Sequence, residues 1–222
     1  MLQSSTIQFL KKLERNNSKP WFDTNRHLYE SAKADFLQLT AQVLKETAKF
    51  DASIAHLQPK ECVFRINRDV RFSKDKSPYK TNMGMSIARG GKKGNFAGYY
   101  FHLEPGKSFV GGGLYMPMPD DLKKLRQEID YNFADFQKII QHKNFRAAYG
   151  DLDFDAALSL SRAPKGYEED NPAIKYIKLK SFIATNTIAD STLTDKSLVK
   201  QITQSFKTLH PLLNFINGAL EI

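Results

Sequence analysis

Four stretches of alternating or apolar residues follow one another between Cys62 and Met116, and no helix-length segment separates them. The first, VFRINRDVRF (63–72), has Phe64, Ile66, Val70 and Phe72 at alternate positions, interrupted by Arg68. Arg65, Asn67, Asp69 and Arg71 fall between them. Alternation of this kind, rich in aromatic and β-branched residues, predicts a half-buried strand. Met83, Met85 and Ile87 alternate in the same way with Asn82, Gly84 and Ser86. AGYYFHL (97–103) and SFVGGGLYM (108–116) flank Glu104-Pro-Gly-Lys107, a hairpin turn with Pro and Gly at its centre. Parallel strands need long crossover connections, so spacing this close predicts an antiparallel meander of four strands over about 62–116. Gly111-Gly112-Gly113 inside a strand calls for a close neighbour, either a ligand or a helix packed on the sheet.

Around the meander the pattern is helical. Ile7, Phe9, Leu10 and Leu13 predict a helix over 5–16. Pro20 suits the first turn of a second helix running to about Phe50, with Phe22, Tyr29, Phe36, Leu39 and Val43 on one stripe. Asp120 and Asp121 open another helix, along which Leu122, Leu125, Ile129, Phe133, Phe136 and Ile140 recur. SFIATNTI (181–188) reads as a further strand. The C-terminal helix is expected from Asp195, capped by Thr194, with a kink or break near Pro211. The fold class is therefore α+β: a single domain over 5–217 whose antiparallel sheet of about four or five strands packs against several helices.

Charge enters because it is uneven. The chain carries a formal net charge of +9, and residues 60–93 alone hold ten Lys or Arg against three acids, a local +7. Clustered cations attract anions, so the expected partner is an anionic small molecule or phosphate-bearing ligand, with nucleic acid as the polymeric case. The plainer reading is a solvated basic surface. The single cysteine, Cys62, excludes an internal disulfide and reads as a small buried residue. The N-terminus lacks the apolar run of a signal peptide and no stretch reaches the length of a membrane span, so no membrane partner and a cytoplasmic location are expected.

No Walker A, dinucleotide-binding or nucleophile-elbow motif occurs, and the five histidines show no metal-type spacing. No metal site and no particular cofactor is indicated. The candidate ligand site centres on Arg65, Arg68, Asp69 and Arg71, with Lys74, Lys76, Tyr79 and Lys80 beside it. Arginine suits bidentate contact with phosphate or carboxylate, and lysine adds point charge. The competing reading is a set of structural ion pairs in a protein-interaction module. Tyr100 and His102 share a strand face. With Asp69 they are the candidate proton-transfer groups if the chain is an enzyme acting on a phosphorylated substrate, provided their face also bears the arginines. Basic residues among Phe64, Phe72 and Tyr79 loosely suit base stacking. Trp21, the only tryptophan, is either a core anchor or a wall for a planar group.

The run FRINRDVRFSKDKSPYKTN, with NNSKPWFDTNRHLYE before it and GYYFHLEPG, GGGLYMP and RAPKGYEEDNPA after it, resembles the family catalogued as domain of unknown function 2461. The resemblance spans roughly residues 5–217 in the same order. It implies one full-length domain and emphasises the same stretch, adding Trp21 and Asn25 to the candidate ligand set. It carries no activity, substrate or cofactor with it.

Overall fold

Four strands form one antiparallel sheet in the order β1-β2-β3-β4: β1 (Met83–Ile87), β2 (Gly98–Leu103), β3 (Phe109–Leu114) and β4 (Phe182–Thr187). The computed structural model describes residues 1–221, and the side chain of Lys93 lies outside the described residues. Ten α-helices accompany the sheet: α1 (Ser4–Arg15), α2 (Lys19–Thr24), α3 (Arg26–Thr47), α4 (Pro59–Cys62), α5 (Pro119–Tyr131), α6 (Phe133–Ile140), α7 (Lys143–Tyr149), α8 (Ile174–Ile177), α9 (Asp190–Leu193) and α10 (Leu198–Glu221). The α+β class and the four-stranded antiparallel sheet are as expected.

The make-up of that sheet differs from the expectation in one respect. Residues 63–72 are not a strand; their backbone pairs with the sheet at an isolated bridge from Val63 to Met85. The fourth strand is instead 182–187, which pairs with β3 from Phe109↔Thr187 to Leu114↔Phe182. The expected helix from Pro20 to Phe50 is also divided. Asn25 ends α2 and precedes α3 with ψ 18°, its side-chain amide donating to the Trp21 carbonyl at 2.9 Å. At the other end of the chain α9 and a turn precede α10. Helix α10 runs through Pro211 without a break and buries Leu198, Ile202, Phe206, Leu209, Leu213 and Ile216.

One sheet face is the core. Met83, Met85 and Ile87, Tyr99, Phe101 and Leu103, Val110 and Leu114, and Phe182 and Ala184 are all buried. Helices α3 and α10 cover them: Phe36 lies 6.3 Å from Phe101 and Phe206 4.8 Å from Tyr99, ring to ring. A buried phenol needs a hydrogen-bond partner. The Tyr99 hydroxyl has two, donating to Asp51 Oδ2 at 2.9 Å and lying 2.7 Å from His210 Nδ1, so it ties the sheet to the turn after α3 and to the middle of α10. The glycine run is demanded by neighbouring strands rather than by a ligand or helix. A Cβ on Gly111 would lie 2.3 Å from the Ala184 carbonyl, and one on Gly113, at φ 130°, 1.9 Å from that of Phe182.

Alkali should weaken this core. Burial pushes the Tyr99 and Tyr149 hydroxyls well above their usual value and that of Tyr176 to about 12. A group whose pKa is higher in the folded state stabilises fully below its unfolded value, near 10, and loses that contribution as pH rises through the folded one. Urea unfolding should therefore show stability falling from pH about 10 upward. Tyr99→Phe should flatten that fall and lower stability at neutral pH by about 1–3 kcal/mol, because Asp51 loses a donor.

Candidate functional site

The antiparallel register sets the character of the other sheet face. Gly84 stands opposite His102 and Ser86 opposite Tyr100; Tyr100 faces Gly111, and Gly98 faces Gly113, which in turn faces Ile183. With so many small residues, this face stays low. It forms the floor of a cleft of about 1140 Å³. One wall comes from the segment after α4: Phe64, Arg65, Arg68, Asp69 and Lys80 line the cleft. The opposite side is Tyr115–Met118 with Asp121, Asp153 and Thr185. Tyr115, Met116 and Met118 are exposed there. Met116 holds φ 45°, uncommon outside glycine, with its amide bonded to the Ser181 hydroxyl at 2.9 Å.

The segment 63–82 keeps its shape without a strand. Phe64 N–H donates to the Gly84 carbonyl at 3.0 Å, which attaches it beside β1. Arg68 N–H to Pro78 O (2.9 Å) and Lys80 N–H to Ile66 O (2.8 Å) then close the segment on itself. Side chains take over the remaining backbone groups. Arg68 pairs with Asp75 and donates to the Ser77 carbonyl at 3.1 Å; Asp75 accepts from Ser77 N–H at 2.9 Å. Arg71 grips Asp69 through two bonds of 3.0 and 2.7 Å, and Lys76 donates to Val70 O at 3.0 Å. Such local bonds compete with ladder pairing, which is why an alternating sequence makes a loop here. Of the alternating residues only Ile66 is buried, and Phe72 is 95% exposed.

The candidate residues therefore separate into groups. Arg65, Arg68, Asp69, Lys80 and Tyr100 come together in the cleft. Arg71, Lys74 and Lys76 are exposed in the stretch joining the two arms of the closed loop. Tyr79 is core: it stacks on Phe22 at 3.9 Å, and the Asn17 amide clamps its backbone with bonds of 2.9 and 3.1 Å. Trp21 packs half-buried against the core from α2, and Asn25 divides α2 from α3. Cys62 is buried, its thiol pushed up to about 11 mainly by that burial.

Three cleft cations stand apart from the ion-pair network, and one of them, Lys92, is taken up by the Lys60 and Val63 carbonyls. Among the described residues, neither Arg65 nor Lys80 has a salt-bridge partner; the Lys80 ammonium sits 5.4 Å from the Phe64 ring centre. Burial, and then the Arg65 charge, pull the Lys80 ammonium below its usual pKa. Beyond them lies a chain the residue types alone did not reveal. The Tyr100 hydroxyl is 3.1 Å from His102 Nδ1, and His102 Nε2 is 3.0 Å from Glu104 Oε2. His102 stacks on Phe109 at 4.8 Å, which fixes its ring plane. In the sequence Glu104 stands out only as a turn residue, although positions 100, 102 and 104 alternate onto one face. Among the described residues no three of His, Cys, Asp and Glu gather as a metal-binding group. No helix among them is long and apolar enough to cross a membrane.

The loop should be acid-sensitive. Hydrogen bonds from Ser77, then from Arg68, hold the Asp75 carboxyl down to about 2. A depressed carboxyl stabilises fully above its unfolded value, near 3.9, and that support is lost as pH falls through about 2. Hydrogen exchange at the Arg68 and Lys80 amides, compared between pH 4 and 2, should show protection lost at the lower pH and lost at both in Asp75→Ala.

Neither a curated protein nor a solved structure matches the chain. The family model described as conserved hypothetical protein (DUF2461) matches residues 5–215, nearly its whole length and all of the segment that walls the cleft, so the chain belongs to that family.

Proposed function

We propose that the cleft binds a phosphate-bearing or other anionic ligand, held by Arg65 and Lys80. The observation that carries this reading is their arrangement. Two cations share one wall, the guanidinium disfavours the neighbouring ammonium, and neither has an ionic partner among the described residues. An anion placed between them would relieve that repulsion and gain charge-assisted hydrogen bonds. The cleft volume of about 1140 Å³ suits a metabolite-sized molecule, and the exposed apolar rim offers it a contact surface. Arg68 and Asp69 contribute by fixing the wall rather than by meeting the ligand with free charge, since each is held within its own segment.

A polymeric anion is the second reading. Phe72 is 95% exposed with the Arg71 guanidinium 5.8 Å from its ring centre, in the same loop as Lys74 and Lys76. Exposed aromatics beside cations suit stacking on unpaired bases.

Thermal-shift titration at low salt, with a panel of phosphate monoesters, diphosphates and dicarboxylates, separates the two when run beside anisotropy of a labelled single-stranded oligonucleotide. A cleft ligand should raise the melting temperature. Arg65→Ala and Lys80→Met should each weaken its binding by roughly 10- to 100-fold, the worth of one charge-assisted bond. Because burial and the Arg65 charge disfavour the Lys80 ammonium, Lys80→Met should leave the protein as stable as before when no ligand is added. A shift that survives the double variant would refute the cleft reading. Oligonucleotide binding that falls steeply with salt and needs Arg71 and Lys74 would favour the polymer.

A further inference from the structure

We propose that Tyr100 is the proton-transfer group of a catalytic cleft, with His102 and Glu104 as the positioning residues behind it. The substrate class is an anion that also bears a hydroxyl group. The inference rests on the anion-binding reading for its substrate, while the relay itself stands on separate geometry.

Tyr100 alone of the three lines the cleft, and His102 and Glu104 continue from it along β2 and into the next turn. The bonds run in sequence, Tyr100 O to His102 Nδ1 at 3.1 Å and His102 Nε2 to Glu104 Oε2 at 3.0 Å. A carboxylate that takes the Nε2 hydrogen leaves Nδ1 as an acceptor aimed at the phenol. All three side chains are sheltered: His102 and Glu104 are 13% and 19% exposed. Thr81 and Lys107 further orient Glu104, at 3.5 and 3.8 Å. Burial, and next the Glu104 charge, raise the Tyr100 hydroxyl above its usual value, so it keeps its proton until a base takes it.

Gly84 makes room for this arrangement. A Cβ there would fall 2.7 Å from the Tyr100 oxygen. No backbone clash is involved, so the glycine frees the position of one hydroxyl. A structural tyrosine with its hydroxyl bonded for stability alone would not need to lie on the cleft floor.

The step balances without any co-reactant. The hydroxyl hydrogen of the bound anion passes to the Tyr100 oxygen as the Tyr100 hydrogen passes to His102 Nδ1. The imidazole becomes imidazolium facing the Glu104 carboxylate, and the ligand oxygen is left as an alkoxide. Arg65 and Lys80 offset the added negative charge. General-base assistance of this kind contributes roughly 10²- to 10⁴-fold to a rate.

Arylsulfonyl fluorides test the relay directly. The Tyr100 oxygen bonds to sulfur, the S–F bond breaks, fluoride leaves and the phenolic proton goes to His102. Labelling would be followed by peptide mass spectrometry with anionic 4-(fluorosulfonyl)benzoic acid and with neutral benzenesulfonyl fluoride. Tyr100 should react at least about 10-fold faster than Tyr115 and Tyr131, which are 67% and 73% exposed and whose hydroxyls make no hydrogen bond among the described residues. His102→Asn and Gly84→Ala should each remove that advantage, with an unchanged melting temperature showing that the fold is intact. Should His102→Asn fail to fold, Gly84→Ala decides alone. Tyr100 reacting no faster than Tyr115 and Tyr131, or keeping its advantage in a folded variant, would overturn the proposal. Equal rates with the two reagents, still lost in the variants, would sink the anion reading and leave the relay standing.

Discussion

In an antiparallel sheet, residues directly opposite share a face, so one register distributes every side chain of all four strands. Here that distribution is lopsided. The core face carries Tyr99, Phe101, Met85 and Phe182, and the other carries Gly84, Ser86, Gly111 and Gly113 around Tyr100. A slip of one residue would exchange the faces, expose Phe101 and drive His102 into the packing of α3 and α10. Two devices hold the register against that slip. The Tyr99 hydroxyl is bonded to Asp51 and faces His210, and β3 approaches the carbonyls of Ala184 and Phe182 more closely than any side chain would permit. The cleft is a consequence: helices cover the large-residue face, and the small-residue face remains open.

The second constraint is the accounting of backbone hydrogen bonds in the loop that walls the cleft. A segment of such length without a strand would leave many polar groups unpaired, and these must be satisfied locally. Arg68, Asp69, Asp75 and Lys76 do that within the loop, while Asn17 and Lys92 attach its ends, Lys92 donating to the Lys60 and Val63 carbonyls at 3.1 and 2.9 Å. These charges are therefore engaged before any ligand arrives. Arg65 and Lys80 differ because they flank the point where the loop leaves β1, close to each other and to Phe64.

This explains what the amino-acid sequence could and could not reveal. The helical stripes were legible because burial of Phe36, Leu39 and Val43, or of Ile202, Phe206 and Leu209, leaves a period that no other interaction imitates. The loop was not, because Phe64, Val70 and Phe72 alternate without a partner strand, and side-chain bonds to backbone carry no periodic signature. Its importance was visible from charge; its conformation was not. Tyr100 and His102 were legible as sharing a face, whereas joining that face to Arg65 required the register. Glu104 was masked by the Pro-Gly turn that follows it. Tyr79 shows the converse, a polar-tipped aromatic inside a basic run whose ring packs on Phe22.

The cleft also has a direction. Arg65 and Lys80 belong to the loop beside β1, where the Asp69 carboxylate is taken up by Arg71, and two further carboxylates, Asp121 and Asp153, lie toward β3 and β4. Asp153 accepts from the Thr185 hydroxyl at 2.9 Å, which orients it at that end. A molecule placed in the cleft would meet positive charge at one end and hydrogen-bond acceptors at the other, with Tyr100 on the floor between the two edges. An anion with no donor groups would satisfy only half of that field and leave the carboxylates facing it. One that also carries hydroxyl groups meets both ends at once. The polarity of the cleft and the proposed relay beneath it consequently ask for the same kind of molecule, although they arise from different elements of the fold.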